Sequence, residues 1–431
     1  MQEQEKSQKK RVERHIITKS HYLYNFCDDI CYKSKNLYNY SNYIIRQEYI
    51  FNHKFTGFYQ LDRILKEHNQ VDYRRLPNQT SQQTLRLLEK DWQSFFAANR
   101  DYKENPSKYT GKPRLPKYKK KQGRHIAIFT NQQCEIKDGF IKFPKSSEKI
   151  QTRVKENLAQ VRIVPGGNCY IIEIVYQIEA PKKFSEIKNA ISIDLGVNNL
   201  AAIVNNIGLK PVVIEGKIIK SINQYYNKEK ARLMSFVGGR GNSNRIISLT
   251  EKRNRKIDDY LHKSSRFIID YCKENSIDTI IIGNNPGWKQ HVSTGKVNNQ
   301  KFVFIPFKKL INQIKYKSEE KGINVKVVQE SYTSKASFLD SDNIPEYKVE
   351  NNEKHTFSGR RIYRGLYKTK AGILINSDCN GAYNCMRKVI PKFSLEEGIE
   401  GVGLHPVRLI PSLRQSNKGN LINFDKIYNT F

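Results

Sequence analysis

The sequence predicts an α/β fold for the second half of the chain, preceded by a helical segment and a segment of antiparallel strands. Three observations predict it. From residue 189, apolar runs of strand length alternate with helix-like periods. Between 21 and 110, apolar residues recur at helical spacing, and between 111 and 185 short apolar runs are separated by turn signals. The 431 residues suffice for about two to four domains.

Two long helices are expected between 21 and 110. The first carries an apolar stripe at steps of 4, 7, 3 and 4 residues, formed by Phe26, Ile30, Leu37, Tyr40 and Ile44. The second is expected to begin near Thr80 or Ser81, both good N-cap residues. Its stripe, at steps of 3, 4 and 3, is formed by Leu85, Leu88, Trp92 and Phe95. Both stripes are predicted to be core without a chemical role.

A short strand is expected over 11–18, and a small antiparallel barrel or sheet is expected between 111 and 185. The candidate strands are 125–130, 139–144, 159–165 and 168–179. Pro165-Gly166-Gly167 separates the last two and is a hairpin signal.

The second half begins with three closely spaced strands, followed by a helical stretch, a strand, a helix, another strand and a last helix. Their expected ranges are 190–194, 200–204, 211–215, 221–274 with a break at 238–241, 278–283, a helix from Pro306, 324–328, and a strand over 373–378 that leads into the helix. Three strands, then strand–helix–strand, is the order of elements in an RNase H-like fold. In such a sheet, acidic residues at strand ends and on a late helix converge.

Acidic residues occur where this order requires them. Asp194 ends an apolar strand, and Asp378 ends another and starts the last helix, where it could equally act as an N-cap. Two or three carboxylates can hold two divalent metal ions that activate water and stabilise the leaving oxygen of a phosphodiester. Carboxylate and water oxygens are the ligands that Mg²⁺ prefers. A metal-dependent nuclease site is the predicted chemistry, whereas each aspartate alone would be read as a strand or helix terminus.

A third carboxylate is absent from its expected place, because the strand at 280–282 ends in Gly283-Asn284. Glu330 lies two residues past the next strand. If those two strands are parallel neighbours, their ends lie about 5 Å apart, and a glutamate side chain can cover that offset. Asp340 and Asp342 are weaker rivals because they lie farther from any strand end, and a solvated loop carboxylate is the alternative for Glu330.

The charge of the chain predicts a polyanionic partner. Lysine plus arginine is 75 and aspartate plus glutamate is 42, a formal charge of 75 − 42 = +33. A basic segment between 112 and 124 interleaves cations with an aromatic residue and is expected to contact phosphates as a whole: Lys112, Arg114, Lys117, Tyr118, Lys119, Lys120, Lys121 and Arg124. Phosphate contact is also predicted, on weaker grounds, for Arg253 and Lys256. The alternative in both places is a solvated basic surface.

Other features indicate the compartment. The seven cysteines are odd in number, scattered and without a CxxC pair, which disfavours a disulfide framework and a four-cysteine zinc site. No apolar run approaches the roughly 20 residues of a membrane helix, and the charged start lacks the apolar core of a secretory signal. We therefore expect a cytoplasmic protein, nucleoid-associated when bound to DNA, with no membrane partner.

Eight stretches of the chain resemble, in the right order, the TnpB family of transposon-encoded RNA-guided nucleases, which is related to Fanzor proteins and type V CRISPR effectors. They are SKNLYNYSNYIIRQ (34–47), residues 76–119, ISIDLGVNNLAAI (191–203), RNRKIDDYLHKSS (253–265), IIIGNNPGWKQ (280–290), QESYTSKASFLD (329–340), FSGRRIYRGLYKT (357–369) and INSDCNGAYNCMRK (375–388).

The resemblance implies an RNase H-like RuvC nuclease domain, together with an N-terminal β-barrel wedge domain that carries an inserted α-helical recognition domain. The implied ranges are 1–20 for a disordered N-terminus and first wedge strand, 21–110 for recognition, 111–186 for the wedge barrel, 187–330 for RuvC, 331–371 for a degenerate zinc-ribbon-like target-nucleic-acid-binding insert, 372–390 for RuvC completion and 391–431 for the tail. The implied partners are a guide RNA and double-stranded target DNA cut beside a short target-adjacent motif. One monomer per guide RNA is favoured.

The resemblance also assigns the acids. Asp194 in DLGVNN matches the first catalytic aspartate of the family, and Asp378 matches the third acid. Many members carry the second acid where this chain has Gly283 or Asn284, but some lineages use a displaced glutamate, which Glu330 in ESYTSK matches. Asp194, Glu330 and Asp378 are thus the implied ligands of two Mg²⁺ ions. Residues 331–377 contain no cysteine, so no zinc is expected in the insert, which Lys335, Arg360 and Arg361 would have to stabilise instead.

Two other functions remain open from the sequence. A nuclease-dead, RNA-guided DNA-binding repressor is the alternative favoured by the missing acid at 283–284. A DNA-strand transferase is weaker, because no catalytic tyrosine or serine stands out among the 25 tyrosines.

Overall fold

The computed structural model of the chain describes residues 8–179, 181, 186–239, 241–284, 305–345, 355–363, 365–393 and 405–411. The chain divides into two compact units, residues 1–179 (the first unit) and 180–431 (the second unit). The start of the predicted disordered N-terminus and most of the predicted tail lie outside the described residues. No helix in the described ranges has the length and apolar character needed to cross a membrane.

The first unit combines helices with two antiparallel sheets. Its helices are α1 (Tyr24–Asn52), α2 (Phe58–Glu67), α3 (Val71–Arg75) and α4 (Asn78–Glu104), followed by a 3-10 turn (Pro106–Lys108). Its strands are β1 (Gln8–Ile17), β2 (Ala127–Thr130), β3 (Glu135–Lys137), β4 (Phe140–Lys142), β5 (Lys149–Gln151), β6 (Leu158–Pro165) and β7 (Tyr170–Glu179). One sheet has the order β1-β7-β6-β2 and the other β3-β4-β5. The predicted hairpin turn after Pro165 is confirmed, since Pro165 pairs with Tyr170.

The predicted stripe of α1 is wrong in detail. Tyr40 is exposed, and the buried face instead includes polar residues such as Ser34 and Asn42. Burial of these residues is possible because they are hydrogen-bonded: Asn42 Oδ1 accepts from the indole of Trp92 at 3.0 Å, and Ser34 Oγ donates to the carbonyl of Ile126 at 2.8 Å. The α4 stripe is confirmed for Leu85, Leu88 and Trp92, all fully buried, although the helix begins at Asn78.

The second unit is a three-layer α/β arrangement around a mixed six-stranded sheet. Its sheet strands are β8 (Ala190–Asp194), β9 (Asn199–Asn205), β10 (Val212–Glu215), β11 (Thr279–Gly283), β12 (Asn324–Val328) and, numbered last in chain order, β16 (Val407–Leu409). The order is β12-β11-β8-β9-β10-β16. β8, β9 and β10 form an antiparallel meander, and β11 and β12 add in parallel beside β8. The order of the first five strands along the chain is the one that the sequence predicted for an RNase H-like sheet, whereas β16 was not predicted.

Alternate residues of the central strands face two different cores, as the two-residue strand period requires. Ile191 and Ile193 pack on the side of α5 (Lys217–Ser235), α6 (Asn244–Glu274) and α7 (Phe307–Glu319). Ala190 and Ile281 pack on the side of α8 (Ser377–Arg387). A small sheet of β13 (Arg360–Tyr363), β14 (Leu366–Lys368) and β15 (Leu374–Asn376) precedes α8. Asp194 continues the series of Ala190, which puts it on the α8 side.

The first unit has a buried neutral histidine that makes its stability depend on pH. His125 accepts or donates a hydrogen bond at Ser34 Oγ, 3.1 Å away, and packs on Tyr38. Burial, with a smaller contribution from the charge of Lys119, lowers the pKa of His125 from 6.5 to about 4. Between about pH 6.5 and 4, the imidazole of His125 is therefore protonated in the unfolded chain but neutral in the folded chain. Acidification through this range destabilises the fold.

We expect the first unit to lose about 2 kcal/mol of unfolding free energy from this histidine between pH 7 and pH 5. Chemical denaturation at both pH values measures it, with His125→Gln expected to lose less on acidification than the wild type. His53→Asn, at an exposed histidine, is the matched control. An equal acid loss in the wild type and His125→Gln would contradict the burial of a neutral imidazole.

Candidate functional site

Asp194 ends the central strand of the second-unit sheet. In the register, Ile193 pairs with Ile282, so Asp194 lies beside Gly283 at the end of β11. Gly283 in turn pairs with Val328 of β12, two residues before Glu330. The parallel pairing of β11 and β12 that the sequence analysis required is thus confirmed, and it brings the two carboxyl groups to one edge of the sheet.

The side chain of Glu330 occupies the space that any larger residue at 283 would need. A Cβ atom built on Gly283 would lie 2.5 Å from Glu330 Oε1, 2.6 Å from Glu330 Cγ and 2.9 Å from Cys385 Sγ. Real Cβ atoms do not approach other atoms so closely. The glycine and the displaced glutamate are therefore one structural feature: the carboxyl group reaches Asp194 across a backbone that has no side chain.

The loop that carries Glu330 is fastened to the α8 side by hydrogen bonds. Asn384 Nδ2 donates to the carbonyls of Thr333 and Ala336 at 2.9 and 2.8 Å, and Asn380 Nδ2 donates to Ala336 at 2.8 Å. Lys388 Nζ donates to the carbonyls on either side of Glu330, those of residues 329 and 331. The two asparagines of the motif D-x-N-G-A-Y-N thus position the loop, a role that the spacing of the motif alone did not reveal.

Asp194 and Glu330 are hydrogen-bonded and share a buried environment. Burial, followed by the charges of Glu330 and Asp378, raises the pKa of Asp194 well above its usual value. Burial also raises the pKa of Glu330 to about 7, against the opposing hydrogen bond with Asp194 and the charge of Lys388. Two adjacent buried carboxyl groups cannot both ionise cheaply without a compensating cation, so they hold a proton between them.

Asp378 lies in the first turn of α8, but the N-cap is Asn376, whose side chain accepts from the backbone N–H groups of Asp378 and Cys379. The interpretation of Asp378 as the cap is therefore wrong, and its carboxylate is available for other contacts. Asp378 Oδ2 accepts from Asn199 Nδ2 at 2.6 Å, and Oδ1 lies 3.4 Å from Arg361 Nη2. Sequence reasoning missed Asn199, five residues after Asp194, and it assigned Arg361 only to stabilising the insert.

Gly381 allows α8 to approach Asp194 closely. A Cβ atom built on it would lie 3.2 Å from Asp194 Oδ2. The charge of Arg361 also lowers the pKa of Asp194, in opposition to burial, so this guanidinium acts on two of the three acids. Asp194, Glu330 and Asp378 thus belong to one electrostatic cluster.

Three carboxyl groups are the donor chemistry that a hard divalent cation prefers. In the described ranges, no group of three or more His, Cys, Asp or Glu side chains already surrounds a common metal position. The oxygens of Asp378 contact Asn199 and Arg361. The donor set therefore fits a divalent cation in kind, with Arg361 supplying positive charge beside the acids.

The rival acids have structural roles. Asp342 Oδ2 accepts from the backbone N–H groups of Ser337 and Ser358 at 2.7 and 3.1 Å. Asp340 Oδ2 accepts from Ser358 Oγ and the N–H of Lys370. Both therefore join loop segments of the second unit, and neither contributes to the pKa shifts of Asp194 or Glu330.

The predicted basic segment is an extended stretch without helix or strand over 111–120. Its backbone is held against α1: Asn39 exchanges two hydrogen bonds with Lys119, and Asn42 donates to the carbonyl of Pro116. Six of its predicted nucleic-acid residues are exposed, namely Lys112, Arg114, Lys117, Tyr118, Lys120 and Lys121.

Two members of the segment are engaged within the protein. Arg124 forms a two-pronged ion pair with Asp28, at 2.7 and 2.9 Å, and this pair lowers the pKa of Asp28. Lys119 lies 4.0 Å from Asp91 and 4.3 Å from the ring centre of Tyr38. These two residues contribute to the fold, whether or not they also contact nucleic acid.

Arg253 and Lys256 line a cleft of about 320 Å³ between α5 and α6. Arg253 is half-buried, donates to Asn223 Oδ1 at 2.8 Å and packs over the ring of Tyr226. Burial lowers its pKa. Lys256 is exposed. Of these two residues, Lys256 can therefore contact a phosphate without a change in its packing.

Comparison with known proteins identifies two consecutive family matches in the second half of the chain. Residues 173–289 match the model of the OrfB_IS605 family, described as a probable transposase. Residues 307–385 match the Cas12f1-like TNB domain. Asp194 lies in the first match, and Glu330 and Asp378 lie in the second.

A curated relative points the same way. The chain is 28% identical over 267 residues to the CRISPR-associated endodeoxyribonuclease Cas12f2 of Micrarchaeota archaeon (strain CG1_02_47_40). The aligned region covers 59% of this chain and 47% of that protein. Together with the two family matches, this relative supports a member of the TnpB/type V effector family. It spans about half the length of this relative.

Solved structures of type V effectors show a weaker likeness. One is the cryo-EM structure of a Cas12f1–sgRNA–target DNA complex, with a TM-score of 0.47, 15% identity and coverage of 84% of this chain and 82% of that chain. A second is a CRISPR–Cas12f ternary complex, with a TM-score of 0.34, 13% identity and coverage of 86% and 82%. Both scores are below 0.5, so the fold described for this chain rests on its own strand order.

A methyl group at residue 283 tests the geometry of the site. We expect Gly283→Ala to destabilise the second unit by about 1–3 kcal/mol, the usual cost of inserting a carbon into a packed position. Calorimetric unfolding measures this, with Gly111→Ala as control, because a Cβ atom there meets nothing within 4 Å. Glu330→Ala removes the two nearest of the three atoms, so the contact with Glu330 is wrong if this change does not reduce the Gly283→Ala cost.

Proposed function

We propose that this chain is an RNA-guided DNA endonuclease that hydrolyses phosphodiester bonds at the cluster of Asp194, Glu330 and Asp378. The observation that carries the proposal is the buried hydrogen-bonded pair of Asp194 and Glu330, built by two strands and a glycine. Burial makes the carboxyl groups of such a pair costly to ionise, and a fold maintains that cost for chemistry more readily than for stability. The name of the curated relative, an endodeoxyribonuclease, supports the same activity.

The cluster suits two Mg²⁺ ions, with Asp194, Glu330 and Asp378 as their protein ligands. When bound, such ions would activate a water and stabilise the leaving oxygen. The chain's own contribution is to hold the carboxyl oxygens in place. Lys388 and the two α8 asparagines fix the Glu330 loop, Gly381 admits Asp194 close to the helix, and Asn199 orients Asp378.

Nucleic acid is the proposed partner class, as a guide RNA paired to double-stranded target DNA beside a short target-adjacent motif. The charge of +33 supports it, because each phosphate that a lysine or arginine neutralises releases counterions. Sequence would be read by base pairing while the protein holds the heteroduplex by its backbone. In this proposal the second unit carries RuvC and the TNB-matching insert, and the first unit carries the wedge and recognition parts.

Cleavage of a matched target by the guide-loaded protein tests the proposal. With Mg²⁺, we expect Asp194→Asn, Glu330→Gln and Asp378→Asn each to lower the cleavage rate at least about 100-fold, the scale of losing one preorganised charge-stabilising group. Target binding, measured by gel shift, should persist. Asp259→Asn, at an exposed helix carboxylate in the second unit, is the matched control.

The outcomes separate the candidate functions. Binding without cleavage by the wild type, under Mg²⁺ or Mn²⁺, would support the nuclease-dead repressor instead. Full cleavage by Glu330→Gln would remove Glu330 from the site while leaving the family assignment intact. A covalent protein–DNA adduct would favour strand transfer.

A further inference from the structure

We propose that a cleft in the first unit binds an unpaired nucleotide of single-stranded nucleic acid, its base against an aromatic floor and its phosphates against a cationic rim. The cleft has a volume of about 690 Å³ and lies between α1, the end of α4 and the extended segment at 112–117. Sites for small ligands typically occupy about 300–1,000 Å³. The inference stands apart from the proposed chemistry, since the acid cluster belongs to the second unit.

The floor of the cleft is aromatic and held rigidly. Tyr49, Phe95 and Phe96 line it, all three half-buried. Tyr49 packs edge-on against Trp92 and Phe95, with ring centres 5.3 and 6.2 Å apart, and Trp92 is fully buried. Because packing against buried side chains holds these rings in place, their exposed surface is available for stacking. Any of the nucleic-acid bases can stack on an aromatic ring.

The rim is cationic throughout. Its charged residues are Arg46, Lys103, Lys112, Arg114 and Lys117, and no acidic residue lines the cleft. Apart from Arg46, all are exposed, and within the described part of the chain none of the five forms an ion pair. Positive charge without a carboxylate partner, concentrated around apolar rings, suits an anion attached to a flat ring.

One wall of the cleft is preorganised. Arg46 Nη1 and Asn42 Nδ2 both donate to the carbonyl of Pro116 at 3.0 Å, which holds the extended segment along α1. Pro113 and Pro116 restrict the backbone of the segment further. The neighbouring cations Lys112 and Arg114 are therefore presented from a fixed backbone, and binding a ligand loses little chain entropy.

These features favour a nucleotide over an acidic peptide. A peptide carboxylate would use the cations but would leave the aromatic surface without a flat partner. A duplex would offer phosphates, but its bases are already stacked on one another. An unpaired nucleotide satisfies both the rings and the rim, and RNA and DNA share this chemistry.

The test is binding of labelled ten-nucleotide oligo(U) and oligo(dT) to the full chain, stripped of co-purifying nucleic acid at high salt, by fluorescence anisotropy over a salt series. We expect Phe95→Leu to weaken binding about tenfold without changing the salt slope, as one lost stacking contact does. We expect Lys112→Gln with Arg114→Gln to reduce the slope by about 1.4, at about 0.7 per single-strand phosphate. The oligonucleotide more affected by Phe95→Leu identifies whether RNA or DNA occupies the cleft.

Lys137→Gln with Lys142→Gln removes equal charge from exposed positions of the same unit and serves as control. Equal slope losses in both double variants, or unchanged affinity in Phe95→Leu, would overturn the proposal. If Phe95→Leu does not fold, photo-crosslinking of 5-iodouridine-labelled oligo(U) to the wild type decides the matter. Adducts mapped to Tyr49, Phe95 or Phe96 support the site, and adducts only elsewhere refute it.

Discussion

The hydrogen bond between the carboxyl groups of Asp194 and Glu330 is the contact on which the arrangement of the acidic site depends. It joins the end of the central strand to a loop beyond the edge strand, across the backbone of Gly283. Adjacent buried carboxyl groups repel each other once ionised, so the surrounding fold must hold them together. The hydrogen bonds of Asn380, Asn384 and Lys388 to the 329–336 backbone supply that restraint.

Two cations near the acids partly offset their negative charge. Arg361 lies beside Asp378 and lowers the pKa of Asp194, and Lys388 lowers that of Glu330. Neither cation overcomes the effect of burial, because the pKa values of both paired acids remain raised. Positive charge beside the two acids therefore remains favourable, and a divalent cation that binds there would have to displace the proton that they share.

The sequence predicted most of the sheet because its strands are short and apolar, the first three closely spaced and the next two separated by a helix. That pattern predicted the order of the elements along the chain, and it allowed Glu330 to reach the site if the last two strands were parallel neighbours, as they are. Other features depend on contacts between residues distant in sequence. The burial of Ser34 and Asn42 in α1, the asparagine anchors of α8 and the pairing of Arg361 with Asp378 leave no periodic signal. Tyr40 was misplaced for the same reason: hydrogen bonding, rather than apolarity, decides which face of α1 is buried.

The division of the chain into two units separates two kinds of surface. The first unit presents exposed cations around fixed aromatic rings, and the second encloses buried acids. A nucleic-acid enzyme requires both, because phosphates must be held by positive charge and cut beside negative charge.

Binding of Mn²⁺ to the full chain, followed by electron paramagnetic resonance without nucleic acid, tests the central claim most directly. Glu330→Gln keeps the shape of the side chain but removes its charge. We expect Glu330→Gln and Asp194→Asn each to weaken Mn²⁺ binding at least about tenfold, and we expect the control Asp259→Asn to bind like the wild type. Wild-type affinity in Glu330→Gln, together with lost affinity in Asp194→Asn, would show that the glutamate from the neighbouring strand does not complete the site.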